Sequence, residues 1–377
     1  MKIIIAPDSF KESLSAMGVA QAIETGFKQI YPDATYVKLP MADGGEGTVQ
    51  ALVDACGGRI EKVNVTGPLG QPVAAFYGIL EESQTAVIEM AAASGLDLVP
   101  SSQRDPLKTT SYGTGQLILS ALEKGLKNII IGLGGSATND AGIGMMQALG
   151  ASFKDSTNQE IAFGGKNLAQ IENIDLSGLT PLLQEAQLSV ACDVDNPLCG
   201  PLGASYIFAP QKGATPEEVK QLDAALSHFA QIVHKELGED IIDFPGAGAA
   251  GGMGAAFVAL LHSKLQPGID IVIQANHLQE AMQDADLVIT GEGRIDSQSI
   301  HGKTPIGVAR CAKKYQLPVI GIAGSLSEDC AVVHEYGIDA VFSIINGAVS
   351  LETALQAAEK NLILTSRNIA ATLKLSF

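Results

Sequence analysis

The sequence predicts an α/β fold of more than one domain, and three observations carry that prediction. Short apolar runs alternate with segments of helical period at both ends of the chain, the syntax of parallel strands covered by helices. The 377 residues exceed what one domain usually takes. With 46% hydrophobic and 17% charged residues, the chain has enough apolar side chain for sizeable cores, which excludes a disordered protein.

KIIIA opens the chain as a short buried strand. A helix follows from about Ser13 to Ile30, because Val19, Ile23, Phe27 and Ile30 share one helical face and Pro32 stops it. ATYVKL reads as the next strand, and Gly47 to about Cys56 as the next helix. The carboxyl-terminal stretch resumes the alternation with strand ADLVIT (285–290), a helix from about Lys303 to Tyr315, strand PVIGIAG, a helix near Glu328 to Tyr336, strand AVFSII, and a long helix from Leu351. Both ends together supply five short strands, the number a flavodoxin-like parallel sheet requires.

Between about Arg59 and Asp284 the texture changes, with TAVIEMA, a helix after Pro106, NIIIGLGG, a helix after Thr138, LSVACDV, SYIFAP, and helices from Pro216 and near Gly251. We read this as a second α/β domain inserted into the first. Residues 1–62 and 283–377 then form the discontinuous flavodoxin-like domain, and 63–282 the insert. One continuous large α/β domain is the alternative.

Charge narrows the partners. A net charge of −17 repels polyanions and leaves no basic stripe, so nucleic acid and anionic membrane are excluded as partners. A small anion must be caught locally, by backbone amides, a few cations or a metal ion. Five cysteines, an odd number with no C-x-x-C, read as reduced thiols of a cytoplasmic protein. The start MKIIIAPDSF has too short an apolar run for a signal peptide, and the uncharged stretch Phe244 to Ser263 is too rich in Gly and Ala to span a membrane.

Glycine is in excess, 41 residues, and it clusters in loops. Asp8, Ser9 and Lys11 follow the first strand, Asp43, Gly44, Gly45 and Glu46 the second, and Glu292, Arg294 and Asp296 the third of the outer domain. If the strand order is 2-1-3-4-5, these loops are neighbours at the switch point where ligands bind. Each loop alone is equally a tight turn. Together, crowded like charges call for a cation or a shared proton, and Mg²⁺ suits Asp8, Asp43 and Glu292.

In the insert, NIIIGLGGSATNDAGIG reads as strand, glycine loop and helix start, with the amides of Gly134, Gly135 and Ser136 offered to a phosphate or carboxylate at a helix amino terminus. Asn139 and Asp140 belong to the same loop. The plain alternative is that Thr138 caps the helix and Asp140 answers its dipole. ACDVDNPLCGPLGA offers Asp193, Asp195 and Asn196, and GEGRIDSQSIHGK offers Asp296, Ser299 and Lys303 beside a His301 read as structural.

Gly246 to Gly251 spell a formal G-x-G-x-x-G, but Pro245 and the short IIDF before it argue for close packing over a dinucleotide site. A Walker A loop ending in the GKT at 302–304 would need glycine where Ser297 stands. Neither H-E-x-x-H nor G-x-S-x-G occurs. Glycine loops, a few cations and carboxylate-held Mg²⁺ are the parts that phosphoryl transfer to a small acid needs. A nicotinamide-dependent dehydrogenase using Gly246 to Gly251, and a non-catalytic metabolite sensor, are the competing classes.

APDSFKESLSA, PMADGGEGT, GLGGSATND, ACDVDNPLCGP, GAGAAGGMG and GEGRIDSQSIHGK resemble, in order, the motif series of the bacterial glycerate kinase family, from residue 6 to 303. The resemblance implies ATP-dependent phosphorylation of D-glycerate in a cleft between two α/β domains, with ATP and Mg²⁺ as cofactors. Glu12 and Ala141 stand where the family more often has glycine. GLGGSA is also similar to the phosphate loop of the GHMP kinases, which favours placing ATP phosphates near Gly134 to Ser136. On this reading Asp8, Asp43 and Glu292 hold Mg²⁺ or accept the glycerate hydroxyl proton, and Asp193 is a second candidate base. Lys11 and Lys303 neutralise phosphate, while Arg294 or Ser299 meets the substrate carboxylate. Ser9, Gly44, Gly45, Asn139, Asp140, Asn196 and Asp296 complete the expected binding set.

Overall fold

A computed structural model describes residues 1–375. Its strands in chain order are β1 (Lys2–Ile5), β2 (Thr35–Lys38), β3 (Gly58–Thr66), β4 (Pro72–Leu80), β5 (Thr85–Glu89), β6 (Asn128–Gly132) and β7 (Ser152–Lys154). There follow β8 (Asn173–Asp175), β9 (Gln187–Ala191), β10 (Lys264–Gln266), β11 (Leu287–Ile295), β12 (Val319–Leu326) and β13 (Ala340–Ser343). The chain divides into two compact units. Unit 1 comprises Met1–Asp43, Gln50–Gly57 and the chain from Ile269 onward, and unit 2 comprises Gly44–Val49 and Gly58–Gly268. The late crossing thus falls at 268/269, against an expected 282/283, because the helices Gly268–Ala275 and Leu278–Met282 group almost entirely with unit 1.

Unit 1 holds a five-stranded sheet in the order β13-β12-β11-β1-β2, every pair parallel. Counted within the unit, this is the 2-1-3-4-5 order of the flavodoxin-like expectation. Ile3, Ile4 and Ile5 are fully buried, as a central parallel strand covered on both faces demands. The helix Ala16–Lys28 starts where Ser15 accepts from the Gly18 amide, and its Val19, Ile23 and Phe27 join β1 and the helix Ala358–Leu373 in one core. The expected single closing helix is two, Leu351–Gln356 and Ala358–Leu373. β11 outruns its expected end at residue 290, staying paired with β12 as far as Ile295↔Leu326.

Unit 2 holds a six-stranded sheet, β10-β9-β6-β5-β4-β3, in which β5, β6, β9 and β10 are parallel. β3 and β4 form an antiparallel hairpin added at the β5 edge, which the sequence reading did not anticipate. β7 and β8 pair as a separate ribbon. SYIFAP folds into the short helix Ala204–Phe208. The helix Pro216–Leu237 opens with a capping box between Thr215 and Glu218, and its Leu226, Phe229 and Val233 pack into the main core of the unit. Among the described residues no disulfide joins the cysteines, and no helix is long and apolar enough to cross a membrane.

Candidate active site

In unit 1 the loops that follow β1, β2 and the buried part of β11 are brought together by the sheet order. The Asp8 amide donates to Gly291 O at 2.8 Å, and the Met41 amide to Pro7 O at 2.9 Å, so the backbone leading to Asp43 and Glu292 flanks Asp8 on either side. Asp8 Oδ1 accepts from the Ser9 amide at 2.6 Å, and Oδ2 from Thr304 Oγ1 at 2.8 Å. Burial pushes the Asp8 carboxyl up to about 6; the nearby Asp43 charge adds to this, and the bonds from Thr304 and Ser9 oppose it.

Glu292 and Arg294 lie within β11 rather than in the loop after it, because the strand continues past residue 290. Glu292 Oε1 accepts from Ser299 Oγ at 2.5 Å, and Oε2 stands 3.8 Å from Lys303 Nζ. Burial pushes this carboxyl up to about 7, against the pull of Ser299 and Lys303 and with the push of the Asp8 and Asp296 charges. Arg294 is exposed and pairs with Asp296 at 3.3 Å. Lys11 is exposed, with its backbone close to Gly293. His301 is exposed on the turn before Lys303. Ser299 is fully buried, so it holds Glu292 in place rather than meeting a substrate carboxylate as expected.

The sheet order therefore gathers Asp8, Asp43 and Glu292. Among the described residues no three acidic, His or Cys side chains form a ready metal cage. Mg²⁺ in phosphoryl transfer needs none, since it is usually held by one or two carboxylates together with phosphate oxygens and water. The hard oxygen donors of Asp8 and Asp43, close enough for the Asp43 charge to disfavour that of Asp8, fit such an ion.

In unit 2 two glycine loops meet at the carboxyl ends of parallel β6 and β9. A Cβ on Gly132 would lie 2.2 Å from Gly44 O, and one on Gly44 2.8 Å from Ala191 Cβ, so only bare backbone allows this approach. Gly134 and Gly135 are exposed beyond the end of β6. Asp193, exposed after β9, accepts from the Gly268 amide at 2.9 Å. Glu89, which closes β5, accepts from the Val49 amide at 2.8 Å. Burial pushes the Glu89 carboxyl up, while the amides of Val49, Gly47 and Thr48 pull it back. A lone acid ending the apolar run TAVIE was the sequence signal for Glu89, and it was missed.

Other expectations for unit 2 are corrected. The helix after the glycine loop begins only at Ile143, behind an N-cap at Gly142 in the left-handed region, so Gly134 to Ser136 do not sit at a helix amino terminus. Asn139 and Asp140 are buried and face the interior. Asp140 Oδ2 accepts from the Ser111 amide and hydroxyl, both at 2.8 Å, and Oδ1 from the Gly142 amide, which ties together the starts of two helices. Thr138 caps nothing: its Oγ1 is buried without a hydrogen-bond partner among the described residues. Asn196 spends its amide on Leu202 O and closes its own turn. Gly251 sits at φ +68 with Thr138 O only 2.0 Å from where its Cβ would be, so this glycine run serves packing. Lys212, in a segment that reads as a solvated turn, is buried with Nζ 2.8 Å from Ser136 Oγ and 2.6 Å from Thr138 O.

The chain as a whole has relatives among known proteins. The model of the glycerate kinase family matches residues 3–374. The chain is 60% identical to a glycerate kinase of Haemophilus influenzae over the full length of both chains. It is also 60% identical to a glycerate 2-kinase of Escherichia coli K12, covering 99% of this chain and 98% of that one. A crystal structure from Salmonella typhimurium LT2 named as a glycerate kinase 2 matches with a TM-score of 0.92 at 59% identity, over 99% of this chain and 98% of the other. Identity of this order along the whole length, joined to the predicted motif series and the sheet order it implied, establishes that this chain belongs to the glycerate kinase family.

Proposed function

We propose that this kinase transfers the terminal phosphoryl group of ATP to D-glycerate with Mg²⁺ as the accompanying ion, and that the product is 2-phosphoglycerate. The observation that carries the reading is the gathering of Asp8, Asp43 and Glu292 at the switch point of a parallel sheet, in a chain whose relatives are named for glycerate phosphorylation. The name of the Escherichia coli relative favours the 2-hydroxyl as acceptor.

Mg²⁺ would be held by Asp8 and Asp43, where it would offset the charge of the transferring phosphoryl group. Glu292, poised near neutrality, takes the proton of the attacking hydroxyl, and Ser299 and Lys303 fix its orientation. Lys11 and Lys303 meet phosphate oxygens, and Arg294 meets the glycerate carboxylate. The exposed backbone at Gly134 and Gly135, together with Ser136, receives the nucleotide phosphates. Asp193, beside Gly44 in unit 2, is the alternative base.

The test is an ADP-release assay with Mg²⁺, ATP and D-glycerate, followed by phosphorus NMR of the product. A phosphomonoester on the secondary carbon supports the proposal. A 3-phosphoglycerate product overturns the regiochemistry, and the absence of ADP release overturns the activity.

A further inference from the structure

Lys212 closes the turn Pro210–Lys212, and only 2% of it is exposed. Its ammonium donates to Ser136 Oγ and to Thr138 O, both in the glycine loop after β6. No carboxylate contacts it among the described residues. The acid facing it is Asp140, whose oxygens are occupied by Ser111 and Gly142. From the segment before the helix Tyr112–Glu123, Arg104 reaches the Gln211 carbonyl at 3.5 Å, and its own carbonyl lies against Gly213. The helix Ala204–Phe208, packed on the same turn, brings no charged residue, only the exposed Tyr206. Thr138 Oγ1 and Asn139 Oδ1, buried in the same loop, have no hydrogen-bond partner among the described residues.

A buried ammonium without a contacting counter-ion is unfavourable, and two neutral acceptors offset only part of its desolvation. Anchoring the loop alone therefore does not account for a lysine here, whereas an anion arriving at the loop does. We propose that Lys212 is the positioning residue of the glycine loop, fixing Ser136 and Thr138 so that the exposed backbone beside them meets nucleotide phosphate, and answering that anion with its own positive charge. The proposal rests on the reading of Gly134 to Ser136 as the phosphate loop. Burial pushes the ammonium down to about 7, so at pH 8 phosphate binding recharges it and draws a proton from solution.

Calorimetric titration of ATP without divalent cation into the full-length protein at pH 8, in two buffers of different ionisation enthalpy, reads both affinity and proton uptake. The wild type is expected to take up close to one proton per nucleotide. Lys212→Met is expected to melt somewhat below wild type yet stay folded at the assay temperature, because Ser136 Oγ and Thr138 O lose a donor, and to bind ATP about tenfold or more weakly and lose the uptake. Its KM for D-glycerate stays within about twofold of wild type, because the loss is confined to nucleotide binding. Ser136→Ala keeps the ammonium, so it retains the uptake while affinity falls about threefold. Equal affinity and equal uptake in Lys212→Met overturn the proposal, as does a wild type that binds ATP with no uptake. A wild type that binds no ATP overturns the phosphate-loop reading and this proposal with it.

Discussion

Glu12 and Ala141 adopt left-handed backbone, with φ 64 and 53, and these are the two positions where the motif resemblance leads one to expect glycine. An L-residue there is strained by roughly 1–2 kcal/mol, while glycine gives back part of that through the freedom of the unfolded chain. Glu12→Gly should therefore stabilise the protein by about 0.5–1 kcal/mol in urea denaturation. Ala141→Gly should gain less, because the Ala141 methyl is fully buried and its contacts are lost. The carboxylates give a prediction of opposite character. Asp8 and Glu292 are raised to about 6 and about 7, so their ionisation weighs against the folded state as pH climbs through those values. Asp8→Asn and Glu292→Gln should stay close to wild-type melting near pH 4, gain on it as pH rises from the ordinary carboxylate range through the raised values, and exceed it by a few degrees at pH 8, while kcat falls roughly 10²- to 10⁴-fold. Scanning calorimetry at the two pH values and steady-state kinetics check both halves. Wild-type turnover in both variants would sink the catalytic roles.

At the scale of elements, the kinked helix Ala249–Ala259 carries Gly251 and Gly252 at positive φ in its first turn, pressed against the Thr138–Asn139 backbone. Gly251→Ala forces a methyl into a carbonyl and strains the backbone at once. We expect about 2–4 kcal/mol of destabilisation by chemical denaturation, with the nucleotide KM raised at temperatures where the variant stays folded. The elements themselves differ in how legible they were. Runs such as KIII and NIIIG announce buried parallel strands, since little else suits consecutive β-branched residues bounded by Gly, Pro and Asp, while the strand order was a supposition that went with the flavodoxin-like class. The β3–β4 hairpin is less legible, because RIEKVNV only nearly alternates apolar and polar residues and the six residues TGPLGQ, two of them glycine, separate that run from its partner run. Of the candidate site, Asp8, Asp43, Glu292 and the exposed glycines were readable as acids and bare backbone following strands. Lys212 was not, since APQKGATP has the composition of a surface turn and only tertiary packing buries its lysine. Asp140 and Ser299 were misassigned for the related reason that a polar residue in a motif looks the same whether it faces a ligand or holds its neighbour.

The whole molecule carries a net charge of −17 while its proposed substrates are anions, so long-range repulsion slows their arrival and only local cations and amides reverse it. Raising monovalent salt from about 10 to 150 mM at fixed Mg²⁺ should thus increase kcat/KM for D-glycerate about two- to five-fold. A decrease would mean that a local basic field dominates the approach. The topology of unit 1 has a temporal consequence as well. Ile3 in β1 registers with Tyr36 in β2 and with Leu287 in β11, so one neighbour follows at once while the other is made only after about three-quarters of the chain. Unit 2 is complete once Gly268 has emerged. The nascent chain thus carries all the residues of its glycine loops before the strand that brings Glu292 beside Asp8 has been made.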